Sequence, residues 1–383
     1  MSKTKWHTKA IYLGIALVLA FGVLLMPMAA GADPGLSKWT KVATPDENSP
    51  LNNIIRQGSD ITDFAVSSDG NYIYAIGTLD GIPKLWKSHD GGTTFIDKTK
   101  YLNAADDLPG DFSRLIAVAV SPDDKSFLAV AGTVFGEPVV VVSEDGCAKF
   151  SSTGLEDAAW WMQVGPRCLD ISKEYGGKKA IAVGLTDPAM VAGGGKIYLA
   201  EIGGIGISWK DTSLKAGWKS SMAVTSLIFS PAYATDKNLL GITTDGDDAY
   251  LQYLKWSPAL KAWNSSGGFS HYCKIDDVVG MSDIALPSDY MGGSALTRIS
   301  FVLLTGVVGP LDGKVAERGE VRSRLYKIDN ITASENCGPA TSDLLGSLAY
   351  SGTIDEGKGM VGVLGGAWTA GAPAPKGCCR GLQ

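Results

Sequence analysis

Residues 87–95 read KSHDGGTTF, placing a serine, a histidine and an aspartate side by side at Ser88, His89 and Asp90. Those are the residue types of nucleophilic acyl transfer. That chemistry, however, brings the three groups together from separate segments, and adjacency in sequence works against the geometry. Histidine is also scarce: besides His89 the chain holds only His7, near its start, and His271. A histidine-based metal cluster or a second Ser-His-Asp site therefore has little material. Asp245, Asp247 and Asp248, in TTDGDD, are suitable calcium ligands by type, but they lack the EF-hand spacing and its terminal glutamate. No metal site and no cofactor are expected. Two carboxylates at the right separation would suffice for glycoside hydrolysis, and 40 acidic residues leave that open. For binding, Trp160 and Trp161 could stack on sugar rings, and His271 with Tyr272 forms a similar pair. Against each stands a structural reading: tryptophans filling gaps between sheets, and a loop histidine satisfied by its surroundings.

The elements that would position these groups begin after residue 32. Lys3, Lys5 and Lys9 make a positive start, Ala10 to Met26 is an apolar run, and Ala30-Gly31-Ala32 offers small residues for cleavage. This is the pattern of a secretory signal peptide over residues 1–32. The run is near the lower length limit of a spanning helix, so contact with a membrane is expected only through this segment, if it stays uncleaved. Removing the three lysines, with no acidic residue, leaves 31 basic against 40 acidic residues, a net charge of −9. Such a surface repels phosphate backbones and excludes nucleic acid as a partner. Forty-eight glycines and many Val, Ile, Tyr and Thr favour short strands and tight turns over helices.

A phrase repeats along the chain. Short strands ending near Ser or Pro recur as FAVS (64–67), VAVS (118–121), LDIS (169–172), LIFS (227–230), IALP (284–287) and LAYS (348–351). Each is followed by a polar turn and a second apolar strand: YIYAIG (72–77), FLAVAG (127–132), AIAVG (180–184), LLGIT (239–243), FVLLTG (301–306) and MVGVLG (360–365). Five units add a third strand, and Phe95, Phe150, Trp209 and Trp263 open a fourth. Four antiparallel strands per unit of this length is the arithmetic of a β-propeller blade. The chain is therefore expected to be an all-β propeller over residues 33–365, with five recognisable four-stranded blades and a partial sixth. KWTKVATP (38–45) has the character of a fourth strand that would complete the last blade. Residues 366–383, rich in Gly, Pro and Cys, form a tail or an interblade loop, and one reading places the rest of the sixth blade beyond Gln383 in a longer protein.

In this frame KSHDGGTTF lies between the third and fourth strands of the first unit. Ser88, Asp90, Gly92 and Phe95 resemble the Asp-box, the S-x-D-x-G-x-x-W/F hairpin of BNR-repeat propellers. A degenerate copy, SEDGCAKF, keeps Ser143, Asp145 and Phe150 and puts Cys147 where the box has glycine. The aspartate accepts from the turn's own amides and the glycines supply positive φ, so the motif is structural. The resemblance to secreted bacterial Asp-box propellers, including proteins of surface-layer type, implies placement at the cell surface or outside the cell and no particular chemistry. Sialidases within that group also need clustered arginines. Arg56, Arg114, Arg167, Arg298, Arg318, Arg322, Arg324 and Arg380 show no diagnostic motif.

In up-and-down blades, second-to-third loops and interblade connections share one face, and most long loops fall there, where binding usually resides. Six cysteines suit an oxidising compartment. Loop sorting puts Cys168, Cys273, Cys337, Cys378 and Cys379 on that face and Cys147 on the other, which favours a disulfide from Cys337 to Cys378 or Cys379. The functional expectation is a secreted cell-surface propeller acting as a structural or binding module, as in a surface layer. Its partners would be envelope glycan, envelope protein or further copies of itself. The alternative is a carbohydrate-active hydrolase, glycosidase or sialidase-like, using two carboxylates. Propeller-type assembly chaperones come third.

Overall fold

In every unit the second strand is a run of apolar residues without polar alternation, the pattern of a strand buried on both faces. In the third unit Lys179–Thr186 is buried along its whole length. Its odd and even residues serve two different cores: Ile181, Val183 and Leu185 pack toward the preceding sheet and Ala180 and Ala182 toward the following one. The computed structural model describes residues 59–156, 165–187, 189, 191–204, 206–257, 261–264, 271–275, 281–307, 322–330, 332–334 and 345–363.

These residues form a β-propeller. Blade 1 contains β1 (Ser59–Val66), β2 (Ile73–Leu79), β3 (Ile82–Ser88) and β4 (Ile96–Asp97), antiparallel and in sequence order. Blade 2 starts with Arg114–Ser121, blade 3 with Gly165–Ile171, blade 4 with Ala223–Phe229 and blade 5 with Met281–Ala285, and each continues in the same order. The fourth strand of blade 4 comes in two pieces, Lys261–Trp263 and Cys273–Ile275, both paired with Ala249–Trp256. Blade 6 is described as one hairpin, Leu345–Ser351 with Lys358–Val363. First strands of consecutive blades lie against one another, which sets them around a common axis. The proposed signal segment, the KWTKVATP stretch and residues 364–383 lie outside the described residues.

Apolar cores fill the spaces between blades. Tyr74, Ile76 and Leu85 of blade 1 meet Leu128, Val130 and Val139 of blade 2. Leu240, Ile242 and Tyr253 of blade 4 meet Val302, Leu304 and Tyr326 of blade 5. Polar ties then seal the rims. On the tight-turn face, Asp69 of blade 1 takes Lys125 of blade 2 at 3.1 Å, and Asp123 of blade 2 takes Lys179 of blade 3 at 2.7 Å. Between blades 3 and 4 the tie is Lys237, 3.3 Å from the centre of the Tyr175 ring. Asp236 then accepts from Gly292 N, and Asp289 from Ile354 N. At the outer edge Trp209 Nε1 donates to Thr153 O and Trp263 Nε1 to Thr212 O, each reaching back one blade.

Near the axis the inner strands are joined by carboxylates in blades 1, 3 and 5. Asp63 accepts from Val118 N at 2.9 Å, Asp170 from Phe229 N at 2.6 Å and Asp283 from Leu348 N at 2.8 Å. β1 carries a bulge between Ile61 and Asp63, opposite Gly77, and blade 2 repeats it between Leu115 and Ala117, opposite Gly132. The bulged backbone comes so close that a Cβ on Gly132 would lie 2.2 Å from Arg114 O. Glycine is required there for close approach. Gly132→Ala is expected to cost about 2–3 kcal/mol in denaturant unfolding.

Removal from water pushes the Asp63 carboxyl up to about 6 and the Asp170 carboxyl up to about 7, and raises Asp283 as well. At Asp63 the nearby Asp283 adds a smaller push in the same direction. A group whose pKa is higher folded than unfolded binds more protons in the native state, so these straps lose stability as pH rises from about 4 to about 7. Asp123 works in the opposite sense: hydrogen bonds from Lys179 and Ser121 outweigh its burial and hold it down to about 2, so its contribution is lost as pH falls below about 4. Thermal unfolding is therefore expected to peak on the acidic side of neutrality. Asp170→Asn, which keeps an acceptor oxygen and removes the charge, should melt above wild type at pH 8 and converge with it near pH 4. Asp170→Ala should melt lower at both, by about 1–3 kcal/mol, because Phe229 N loses its partner.

Candidate interblade binding cleft

Four of the candidate residues are turn builders. Ser88 Oγ donates to Asp90 Oδ1 at 2.8 Å and accepts from Gly92 N at 2.9 Å, while Asp90 accepts from Thr94 N and Thr94 Oγ1. These bonds hold the Asp90 carboxyl down to about 2, ionised and fully engaged. His89 is exposed and takes no part in them. Phe95 is half-buried against Ala75, Leu79 and Trp86. In blade 2, Ser143 Oγ donates to Asp145 and accepts from Cys147 N, and Asp145 accepts from Ala148 N and Lys149 N. Cys147 takes the glycine's place at φ 72° with its thiol buried, which pushes it up to about 12. Phe150 is buried in the core between blades 1 and 2.

The aspartate-rich turn of blade 4 is occupied by its own donors. Asp245 accepts from Asp247 N, Asp248 N, Tyr250 OH and Lys219 Nζ, and Asp248 pairs with Lys274 at 2.9 Å. His271 and Tyr272 are exposed beside this turn, with Tyr272 edge-on to Tyr250 at 5.2 Å. Trp160, Trp161, Cys337, Cys378 and Cys379 lie outside the described residues. Cys147 and Cys168 are free thiols, and Cys273 Sγ donates to Lys274 O at 3.8 Å. Cys168 sits within the inner strand of blade 3 opposite Gly184, rather than in a loop.

A different set of residues converges on the face of the second-to-third loops. Between blades 2 and 3 opens a cleft of about 620 Å³, lined by Arg114, Ile116, Thr133, Phe135, Glu137 and Arg167, with Gly165, Pro166 and Thr186. Arg114 and Arg167 come from the first strands of adjacent blades, so rigid sheet sets their backbones. Both are exposed, and among the described residues neither has an ion-pair partner. Phe135 comes from the two-residue hairpin turn between Val134 and Glu137. It has φ 52°, followed by Gly136 at φ 89°, and is 79% exposed, with its ring against Gly110. Blade 1 makes the same turn with Asp80-Gly81, the residue types that tolerate left-handed backbone. A bulky aromatic there is strained and gains no burial in return. Glu137 is half-buried, and its Oε2 is withdrawn from solvent with no hydrogen-bond donor among the described residues. The cleft thus offers two guanidinium groups with no ion-pair partner among the described residues, one carboxylate acceptor and one open aromatic face. Its parts stand in the sequence without a joining motif; the usable signal was VFGEP, with Phe where a two-residue hairpin calls for Asn, Asp or Gly.

No protein-family model matches the chain, and no curated protein sequence does. Among solved structures it is similar to Kuenenia stuttgartiensis hydrazine synthase, at 12% identity and TM-score 0.45 over 73% of this chain and 65% of that one, just under two thirds of that chain's length. It is similar to the Dos1 propeller at 12% identity and TM-score 0.45, over 80% of this chain and 76% of that one. The six-bladed fucose-recognising lectin of Aleuria aurantia gives 12% identity and TM-score 0.42, over 83% and 97%. These are likenesses of fold.

Phe135→Asn should relieve the turn and raise stability by about 1 kcal/mol in thermal or denaturant unfolding. Ser88→Ala should lower it by about 1–2 kcal/mol, since Gly92 N loses its acceptor in a buried turn.

Proposed function

We propose that this chain is an exported, cell-surface β-propeller of the Asp-box kind, and that it works as a binding module through the cleft between blades 2 and 3. The cleft carries the reading: two arginines fixed on neighbouring strands have no carboxylate partner among the described residues, beside an aromatic held on the surface at a cost in backbone strain. Export is supported by the charged, apolar and small-residue pattern of residues 1–32, and the surface-layer setting by the Asp-box turns and the acidic composition. The partners that suit such a module are envelope glycan, envelope protein or other copies of the chain. The hydrolase alternative draws on Glu137, but a two-carboxylate mechanism needs a second acid facing the first, and Glu137 is the single carboxylate among the cleft's described lining residues.

Protease treatment of intact cells tests the placement. Loss of the full-length protein from whole cells, with a cytoplasmic marker intact, is expected; a protein protected until lysis and recovered in the cytoplasmic fraction would overturn it.

A further inference from the structure

We propose that the cleft between blades 2 and 3 takes a carboxylate-bearing sugar, a hexuronate unit of an acidic glycan. This rests on reading the cleft as the binding site and goes on to the chemistry of its occupant. Arg114 and Arg167 receive the carboxylate, Phe135 covers the apolar face of the ring and Glu137 accepts from a ring hydroxyl.

The charge argument comes first. Several of the described lysines are paired with a carboxylate: Lys84 with Asp97, Lys125 with Asp69, Lys179 with Asp123 and Lys274 with Asp248. Among the described residues Arg114 and Arg167 have no such partner, and what sets them apart is that both guanidinium-bearing residues line the same cleft. A guanidinium is a planar fork of donors that matches a carboxylate in two-point contact, which a lysine does not.

Glu137 narrows the class. Among the described residues its Oε2 lacks a donor, in a place where an unsatisfied carboxylate oxygen is expensive, and a ligand hydroxyl would satisfy it. The same negative charge sets a limit on the ligand's own. Two arginines against one glutamate leave the cleft with a net charge of about one positive unit, suited to a single carboxylate and unfavourable to a phosphate dianion. Phe135 supplies the third element. Sugar rings present a C–H face that packs on aromatic rings, and the 79% exposed Phe135 has such a surface free. The cleft volume of about 620 Å³ lies within the range of small-ligand sites and admits one or two sugar units.

Isothermal titration of the full chain tests the assignment, with trigalacturonate and glucuronate as acidic probes, galactotriose and glucose as neutral ones, and acetate as a free carboxylate without a sugar. The expected result is binding of the uronates, with the neutral sugars at least about tenfold weaker, as one lost charge-assisted contact implies. Acetate should be weaker still. Arg114→Ala and Arg167→Ala should each weaken uronate binding about tenfold or more, with unchanged melting temperature. Phe135→Asn should weaken it while melting higher, which separates lost contact from lost fold. Glu137→Gln should retain more affinity than Glu137→Ala. Equal binding of acidic and neutral sugars, uronate binding indifferent to both arginine substitutions, or no uronate binding at millimolar concentration would each overturn the proposal. Protease accessibility on cells is independent of this titration, so failure here leaves export and surface placement standing, and a cytoplasmic location would not alter the calorimetric result.

Discussion

The second and third strands of blades 1 to 5 are largely buried on both faces, and the rest of the molecule follows from that constraint. A strand such as Lys179–Thr186 has no solvent face of its own, so its sheet cannot satisfy its hydrophobic residues without a sheet on either side. Stability is therefore shared between neighbours, as in other repeat architectures. The polar ties occur where this burial runs out: Asp–Lys and Asp–amide pairs at the tight-turn rim, tryptophan-to-carbonyl bonds at the outer edge, and aspartate straps near the axis. The straps of Asp63, Asp170 and Asp283 are the least comfortable of these. They satisfy an amide of the next blade, but they hold carboxylates where water is scarce, and their pKa values rise in consequence.

The same constraint positions the cleft. Inner strands are the most tightly placed parts of a blade, and Gly132 lets the bulged strand of blade 2 close onto its neighbour at Arg114. Arg114 and Arg167 leave from the ends of such strands, while Phe135 and Glu137 belong to a hairpin turn only two residues long. Precision at this site comes from sheet geometry more than from loops, which suits recognition without rearrangement.

The architecture was legible because the repeat is written in apolar runs. The second-strand phrases coincide with buried strands in blades 1 to 5, and Phe95, Phe150 and Trp209 each stand one residue before a fourth strand. The SHDGGTTF turn was legible for a local reason, since its hydrogen bonds all lie within a few residues. The cleft was not. Arg114 and Arg167 are 53 positions apart on different sheets, and their proximity depends on how two blades pack. The aspartate straps were equally hidden: Asp63 and Asp283 stand four residues before the strand-ending Ser or Pro, but Asp170 stands two before it, so no fixed position in the phrase marks them.

The placement of the described cysteines has a practical consequence. Cys147 belongs to the core between blades 1 and 2, Cys168 packs against the core between blades 3 and 4, and Cys273 lies in the core between blades 4 and 5. Burial raises the Cys147 and Cys168 thiols far above neutral pH, so in the folded chain they are almost wholly protonated. An alkylating reagent can reach the buried Cys147 and Cys273 only when the seam around each opens. The described residues thus include two native chemical clocks, one between blades 1 and 2 and one between blades 4 and 5, and the order in which they are labelled under mild denaturant would time how these blades come apart, with no label added to the protein.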